Sequence, residues 1–463
     1  MAIDEEKMMQ SVYDTLFSVY TDPPPGGMEP GSQREKTFLT YIPGGNPIDI
    51  EQFANPWSPN NLEGSTAATE NFSTLVDQIP SANVAYSPNG NTVSGIYKQI
   101  VEGAQVLPPP ENPEAKAAFE KAFNFLNTEG TDYDDEGKPI TVPVDSPVYR
   151  NYKAKQLAYA NALQAFMASY SKYKKMTPED QREWSLVGPG FQRLLTDAWN
   201  DLQTAQAKRV EDNVAVLAQS ATNQVGRVFA DAQQKFSLLR RAGLDNPLDL
   251  WWASYAFPAN WFSESAAGSW AQRTFSSSSY ELNESSNFTQ YGGGASVSFG
   301  LWSVGGGASH TSEKHHMDSE TSGLEVSFRF ARINIVRPWV NPLIFSLPNW
   351  SWPGIAPGGF SSGNPKNAQD SPFTLLPTAF IAVRDLRITA SWGRQDYDFA
   401  KEATSGSASV GWGPFRVGGS YSSSSSTKKF KSKLESNSII TPGLQIMGWL
   451  CTVVPKCPPE SQV

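Results

Sequence analysis

The chain has little of what catalytic and nucleic-acid-binding proteins commonly use. It carries three histidines, two cysteines and 18% charged residues in 463 positions, so a metal site or a distributed catalytic triad has few side chains to draw on. Lys and Arg number 37 against 46 Asp and Glu, for a net charge of −9. Phosphate backbones call for a concentrated basic face, and its absence argues against nucleic acid as a partner. No run of about 18 apolar residues occurs, so no transmembrane helix is expected. The acidic start Met1-Ala-Ile-Asp-Glu-Glu-Lys7 lacks the basic and apolar regions of a secretory signal. Synthesis as a soluble cytoplasmic protein is therefore expected, with later release and membrane association left open. In that setting Cys451 and Cys457 are expected to be free thiols, the loop-closing disulfide being the alternative.

Motifs for chemistry are equally scarce. No P-loop, HExxH or paired-cysteine zinc pattern is present. Gly359-Phe-Ser-Ser-Gly363 has the spacing of a nucleophile elbow, but it lies in a Pro/Gly loop and not between a strand and a helix, so Ser361 is not expected to be a nucleophile. Asp132, Asp134 and Glu136 precede Gly137 as in a calcium loop, yet the position for the bidentate carboxylate is Pro143. A hairpin turn is the expectation there. No enzymatic activity, metal or cofactor is expected.

The polarity that is present comes largely from Ser, Thr, Asn and Gln, and the length allows two or three domains. Residues 1–112 read as an irregular Pro/Gly-rich segment with one short helix, in which Met9, Val12, Tyr13, Leu16 and Tyr20 keep helical spacing, and a strand-like piece at Phe38–Ile42. Residues 113–245 read as a helical bundle. One stripe runs from Tyr149 to Tyr170, and a second from Leu195 to Leu239 as a single rod with Gly226 as the place for a bend. Gly188-Pro-Gly190 is expected to interrupt the helix before it. The aromatic stretch Leu248–Phe262 is expected to be buried, an exposed binding patch being the alternative. From about 270 the helical period gives way to alternation, so 246–463 read as a β-domain. The whole is an α+β protein: a long-helix hairpin or bundle followed by an antiparallel β-domain.

That β-domain contains an internal repeat. Ala295–Ser309 and Ala408–Ser422 align at a constant offset with eight of fifteen residues identical, and aromatics exchange for aromatics at Phe299/Trp412 and Trp302/Phe415. Each copy reads as two Gly/Ser strands meeting at an apolar tip, within hairpins of about 272–336 and 386–454. In the first copy Ala295, Val297, Phe299 and Leu301 share one side of the strand while Ser296, Ser298 and Gly300 share the other. Lys428, Lys429, Lys431 and Lys433 follow the second copy, where they suit anionic headgroups. All three histidines, His310, His315 and His316, lie beside Glu313, Asp318 and Glu320. They read as a pH switch or as plain solvated loop residues, since a structural metal site needs a different spacing.

Amphipathic Ser/Thr-rich strands ending in aromatic tips resemble the inserting hairpins of β-pore-forming proteins, and two such hairpins per chain resemble the perforin-like group. The aromatic-Gly-Ser/Thr-His-aromatic run of that group is absent, so no residue roles follow from the resemblance. The resulting expectation is a non-enzymatic, membrane-active and possibly pore-forming, toxin-like homo-oligomer. Its tips Phe299, Leu301, Trp302, Trp412, Pro414 and Phe415 touch lipid. The alternative is a soluble homo-oligomeric structural or binding protein whose tips bury against neighbouring subunits.

Overall fold

The computed structural model describes residues 3–21, 31–58, 61–106, 113–133, 138–172, 178–219, 223–246, 248–264, 270–283, 287–291, 301–305, 312–405, 408–422 and 427–460. It is an α+β protein with antiparallel sheets. The chain sorts into two compact units, neither of them one continuous segment. The first takes Met1–Gly90, Ser254–Val336 and Leu375–Val453; the second takes Asn91–Ala253, Arg337–Thr374 and Val454–Val463. Residues from both ends of the chain enter the first unit. The reason is long-range strand pairing, in which Thr37–Pro47 joins Gln445–Val453 from the other end of the chain.

In chain order, the elements of the first unit that matter here are helix α1 (Glu5–Thr21) and strands β1 (Thr37–Pro47), β2 (Ala271–Ser276), β3 (Trp302–Gly305), β4 (Ser312–His315), β5 (Ser322–Val336) and β6 (Leu375–Ser391), helix α2 (Arg394–Ser405), and strands β7 (Ser409–Trp412), β8 (Phe415–Ser422), β9 (Thr427–Phe430), β10 (Ser438–Thr441) and β11 (Gln445–Val453). The main sheet runs β1-β11-β6-β5-β2, with β10 also paired to β6. Its long strands alternate between buried and less buried positions, and Val326, Phe328 and Phe330 of β5 are at most 1% exposed. One core cluster joins Phe38, Phe53, Phe72, Trp261, Phe380 and Trp449. The irregular N-terminal segment expected from composition is thus partly regular: β1 is a sheet strand, and α1 buries nearly every side, including Met8, Met9, Val12, Tyr13 and Leu16.

Strands β2, β5, β6 and β11 form an antiparallel meander in consecutive order. Ser276 at the end of β2 lies opposite Glu325, Ser322 at the start of β5 opposite Ser391 at the end of β6, and Thr389 opposite Ser438. Two insertions, 277–321 and 392–437, therefore leave and re-enter the meander at the same end. Each contains one copy of the repeat.

The second unit is mostly helical, with helices Val93–Gly103, Pro113–Leu126, Pro147–Lys172, Pro178–Thr204, Ala207–Gln219 and Asn223–Leu238. The single rod from Leu195 to Leu239 is divided, with the turn at Ala205–Gln206, where Gln206 adopts φ 60°, and Gly226 lies inside a helix. Pro189 does not interrupt its helix; its fixed φ suits the helical backbone and it forfeits one hydrogen bond. The expected hairpin at 127–145 is present as paired strands from Asn127↔Asp145 to Tyr133↔Pro139, with residues 134–137 of its turn outside the described residues. Tyr97 is the hub of this unit's core, with ring centroids 5.5 Å from Phe236 and 5.6 Å from Trp339, and its hydroxyl accepts the Asn341 N–H at 2.8 Å. In the aromatic stretch, Trp251 is buried in this unit and Trp261 in the first, while Leu248 and Leu250 are exposed.

Candidate functional site

The two insertions meet in one five-stranded sheet of order β4-β3-β7-β8-β9. The descending arm of the first repeat pairs with the ascending arm of the second, Trp302 opposite Trp412 and Val304 opposite Val410. In the second copy β7 and β8 turn at Gly413-Pro414, with Trp412 opposite Phe415. Gly413 takes φ 55°, a conformation that side chains with a Cβ disfavour. Its N–H donates to the Leu301 carbonyl at 2.7 Å and its carbonyl accepts from Gly44 N–H at 2.8 Å, so the tip is pinned by both the other insertion and β1. The rising arm of the first copy, 292–300 with Phe299, lies outside the described residues.

In this conformation the described tip residues face neither lipid nor water. Leu301, Trp302, Trp412 and Phe415 are 0% exposed and Pro414 is buried. Trp302 lies 6.0 Å from the Trp392 ring and 5.6 Å from Phe399, and Phe415 lies 4.9 Å from Phe328 of the main sheet. Met9 of α1 approaches Gly413 so closely that an added Cβ would stand 2.8 Å from its sulfur. The small face of the repeat has a local cause too: Gly418 accommodates the Ala403 backbone of α2, which no larger residue would permit. Gln445 of β11, fully buried, accepts the Arg416 N–H at 2.6 Å and donates to the Arg416 carbonyl at 3.1 Å. A side chain thereby supplies the backbone bonds that a neighbouring strand would.

A polar latch ties the two insertions together where they leave the sheet. The Asp396 carboxylate, 0% exposed, accepts from Thr321 Oγ1 at 2.6 Å and from Asp318 N–H at 3.1 Å. Thr321 Oγ1 in turn accepts Gly393 N–H at 2.7 Å, and Asp318 Oδ2 accepts Gln395 N–H at 3.1 Å. Burial raises the Asp396 pKa from the ordinary carboxylate value, and the hydrogen bonds from Thr321 and Asp318 offset part of that. The Trp302 indole N–H, which closes no hydrogen bond of its own, is near enough to favour the charged form as well. Backbone hydrogen bonds from Glu320 and Gln395 hold Asp318 below its ordinary value.

The two described histidines, His315 and His316, engage different partners. His316 Nδ1 lies 3.1 Å from Glu5 Oε2 of α1, whose other oxygen accepts Met317 N–H. His315 stacks against Phe399 at 4.9 Å with Nε2 3.8 Å from Glu313. His310 lies outside the described residues. Among the described residues no group of three His, Cys, Asp or Glu side chains is placed to hold a metal ion.

The remaining candidates are engaged in structure. Ser361 is 0% exposed, donates its hydroxyl to the Val454 carbonyl at 2.6 Å and accepts Gly363 N–H. Cys451 and Cys457 are buried free thiols, and burial pushes the Cys457 thiol pKa upward. Lys428, expected near headgroups, bonds Asp49 Oδ1 at 2.8 Å and Glu51 Oε2 at 2.6 Å. Sequence reasoning missed Asp396, Gln445 and Met9. Only Met9 carried a signal, as one member of an apolar helical stripe; Asp396 and Gln445 acquire their roles through partners remote in sequence. Among the described residues no helix is long and apolar enough to cross a membrane. Compared with family models, curated proteins and solved structures, the chain matches none.

Proposed function

We propose that this is a non-enzymatic, membrane-inserting protein held here in a closed form, whose two insertions carry copies of one hairpin and open to extend the meander across a bilayer. One observation carries the reading. Both repeat copies leave the same end of a single antiparallel meander, so straightening them would prolong β2, β5, β6 and the β10–β11 strand side by side. Each arm of either insertion is longer than the roughly 9–11 residues that a tilted strand needs to cross the hydrocarbon. Four prolonged strands are too few to close a barrel, whose smallest bilayer-spanning forms have about eight. The reading therefore entails a homo-oligomer, with Leu301, Trp302, Trp412, Pro414 and Phe415 reaching lipid only after release.

In the alternative the tips bury against a neighbouring subunit, and because the described tips are covered by their own chain, that reading needs the same release. The test is dye leakage from phosphatidylcholine vesicles with and without anionic lipid. Leakage accompanied by a discrete oligomer supports the proposal. A discrete oligomer that neither floats with vesicles nor releases dye would favour the structural alternative.

A further inference from the structure

A second site lies in the same unit, at the other end of the sheet from the insertions. A cavity of about 340 Å³ is lined by Tyr20, Lys36, Thr37, Arg332, Thr378, Leu450 and Thr452. Thr37, Thr452 and Leu376 are neighbours across β1, β11 and β6, which fixes the cavity at the start of β6. Among the described residues, every ionisable side chain on its wall is a cation or a phenol.

Arg332 is the unusual member. Its guanidinium carbon lies 6.0 Å from the centroid of the Tyr20 ring, and its Nε is shielded from solvent with no acceptor among the described residues. No carboxylate among the described residues forms an ion pair with it, whereas Arg329, Arg273 and Arg384 of the same sheet each have one. A guanidinium nitrogen cut off from water without an acceptor is costly, because its desolvation is not compensated by a partner. Burial accordingly works against its charge. Tyr20 shows the matching deficiency: its hydroxyl is buried with no partner, and burial keeps it protonated and hence a donor. Thr452 Oγ1 donates to Thr378 Oγ1 at 3.4 Å and Thr378 Oγ1 donates to the Leu450 carbonyl at 3.3 Å; both hydroxyls line the cavity, where Thr37 adds a third.

We propose that this cavity binds the phosphoryl group of a small phosphate ester or of a lipid headgroup. A guanidinium, an ammonium, a phenol and three hydroxyls offer more donors than the two oxygens of a carboxylate can accept, and suit the three or four oxygens of a phosphoryl group. At about 30 Å³ per water-sized group, the volume leaves room for a substituent on the phosphorus. The site is independent of the insertion mechanism.

The test is calorimetric titration of the full chain with inorganic phosphate and with glycerol phosphate at constant ionic strength, on wild type, Arg332→Gln and Thr378→Val. Saturable binding by wild type, weakened at least tenfold by Arg332→Gln and less by Thr378→Val, is expected. Flotation with vesicles of phosphatidylcholine alone and with added phosphatidic acid separates the sources. Retention on phosphatidic acid that Arg332→Gln abolishes assigns the headgroup; binding of the soluble phosphates without such retention assigns the soluble ester. Absence of saturable phosphate binding, or binding of equal strength in a folded Arg332→Gln protein, overturns the proposal. Folding of each variant is read from its thermal transition.

Discussion

Trp302 and Trp412 are register partners across β3 and β7, so the two copies of the repeat seal each other's apolar ends within one chain. Both indoles are fully buried. The insertion proposed above would have to undo this contact.

Truncating either indole is expected to be expensive. Trp302→Ala or Trp412→Ala should lower unfolding free energy by about 3–5 kcal/mol, the usual cost of emptying a buried aromatic site. Urea denaturation followed by tryptophan fluorescence and circular dichroism checks this. A cost below about 1 kcal/mol would mean the indoles are not core residues.

Contact between α1 and the second tip can be isolated. Gly413→Ala adds a Cβ at φ 55° that meets Met9 Sδ at 2.8 Å, so a loss of about 1–2 kcal/mol from backbone strain plus the steric term is expected. Met9→Ala should recover the steric part but not the strain. Additive losses in a double-mutant cycle would show that α1 does not cover the tip.

Gln445→Leu leaves the Arg416 N–H and carbonyl buried without their partner. Loss of about 1–3 kcal/mol is expected for each group left unsatisfied. Faster amide exchange at Arg416 in the variant would report the same event locally.

Acid is expected to tighten the latch. The folded pKa of Asp396 lies above its ordinary value; between the two values the folded chain binds more proton than the unfolded one. Unfolding free energy from this group therefore rises as pH falls through that window, and the gain is lost as pH rises through the folded value. Measured from pH 7.5 to 4.5, the stability difference between wild type and Asp396→Asn should shift in favour of wild type. Parallel profiles would contradict the assignment.

Local pattern made part of this molecule legible and not the rest. The repeat, the strand at Phe38–Ile42, the hairpin at 127–145 and the apolar stripe of α1 all depend on neighbours within a few residues, where period and turn chemistry speak directly. The partners of those elements do not. Burial of Trp302 by Trp412, the clasp of Gln445 on Arg416 and the latch of Asp396 on Thr321 join residues separated by long stretches of chain. Alternation in the repeat announced two unlike faces, but an apolar face suits a protein core as well as lipid, and the small face at Gly418 answers to a helix backbone. Pro189 misled because a proline inside a helix, although it loses a hydrogen bond and crowds the preceding turn, does not have to end it.

If the protein inserts into a bilayer as proposed, the paired insertions must separate first, and a reversible lock across them tests this most directly. Val304 and Val410 are register partners, and antiparallel partners have the Cα spacing that a disulfide accepts. Dye release from vesicles should be lost in the oxidised Val304→Cys/Val410→Cys protein and return to the wild-type rate on reduction. Equal release by the oxidised and reduced forms would contradict the account.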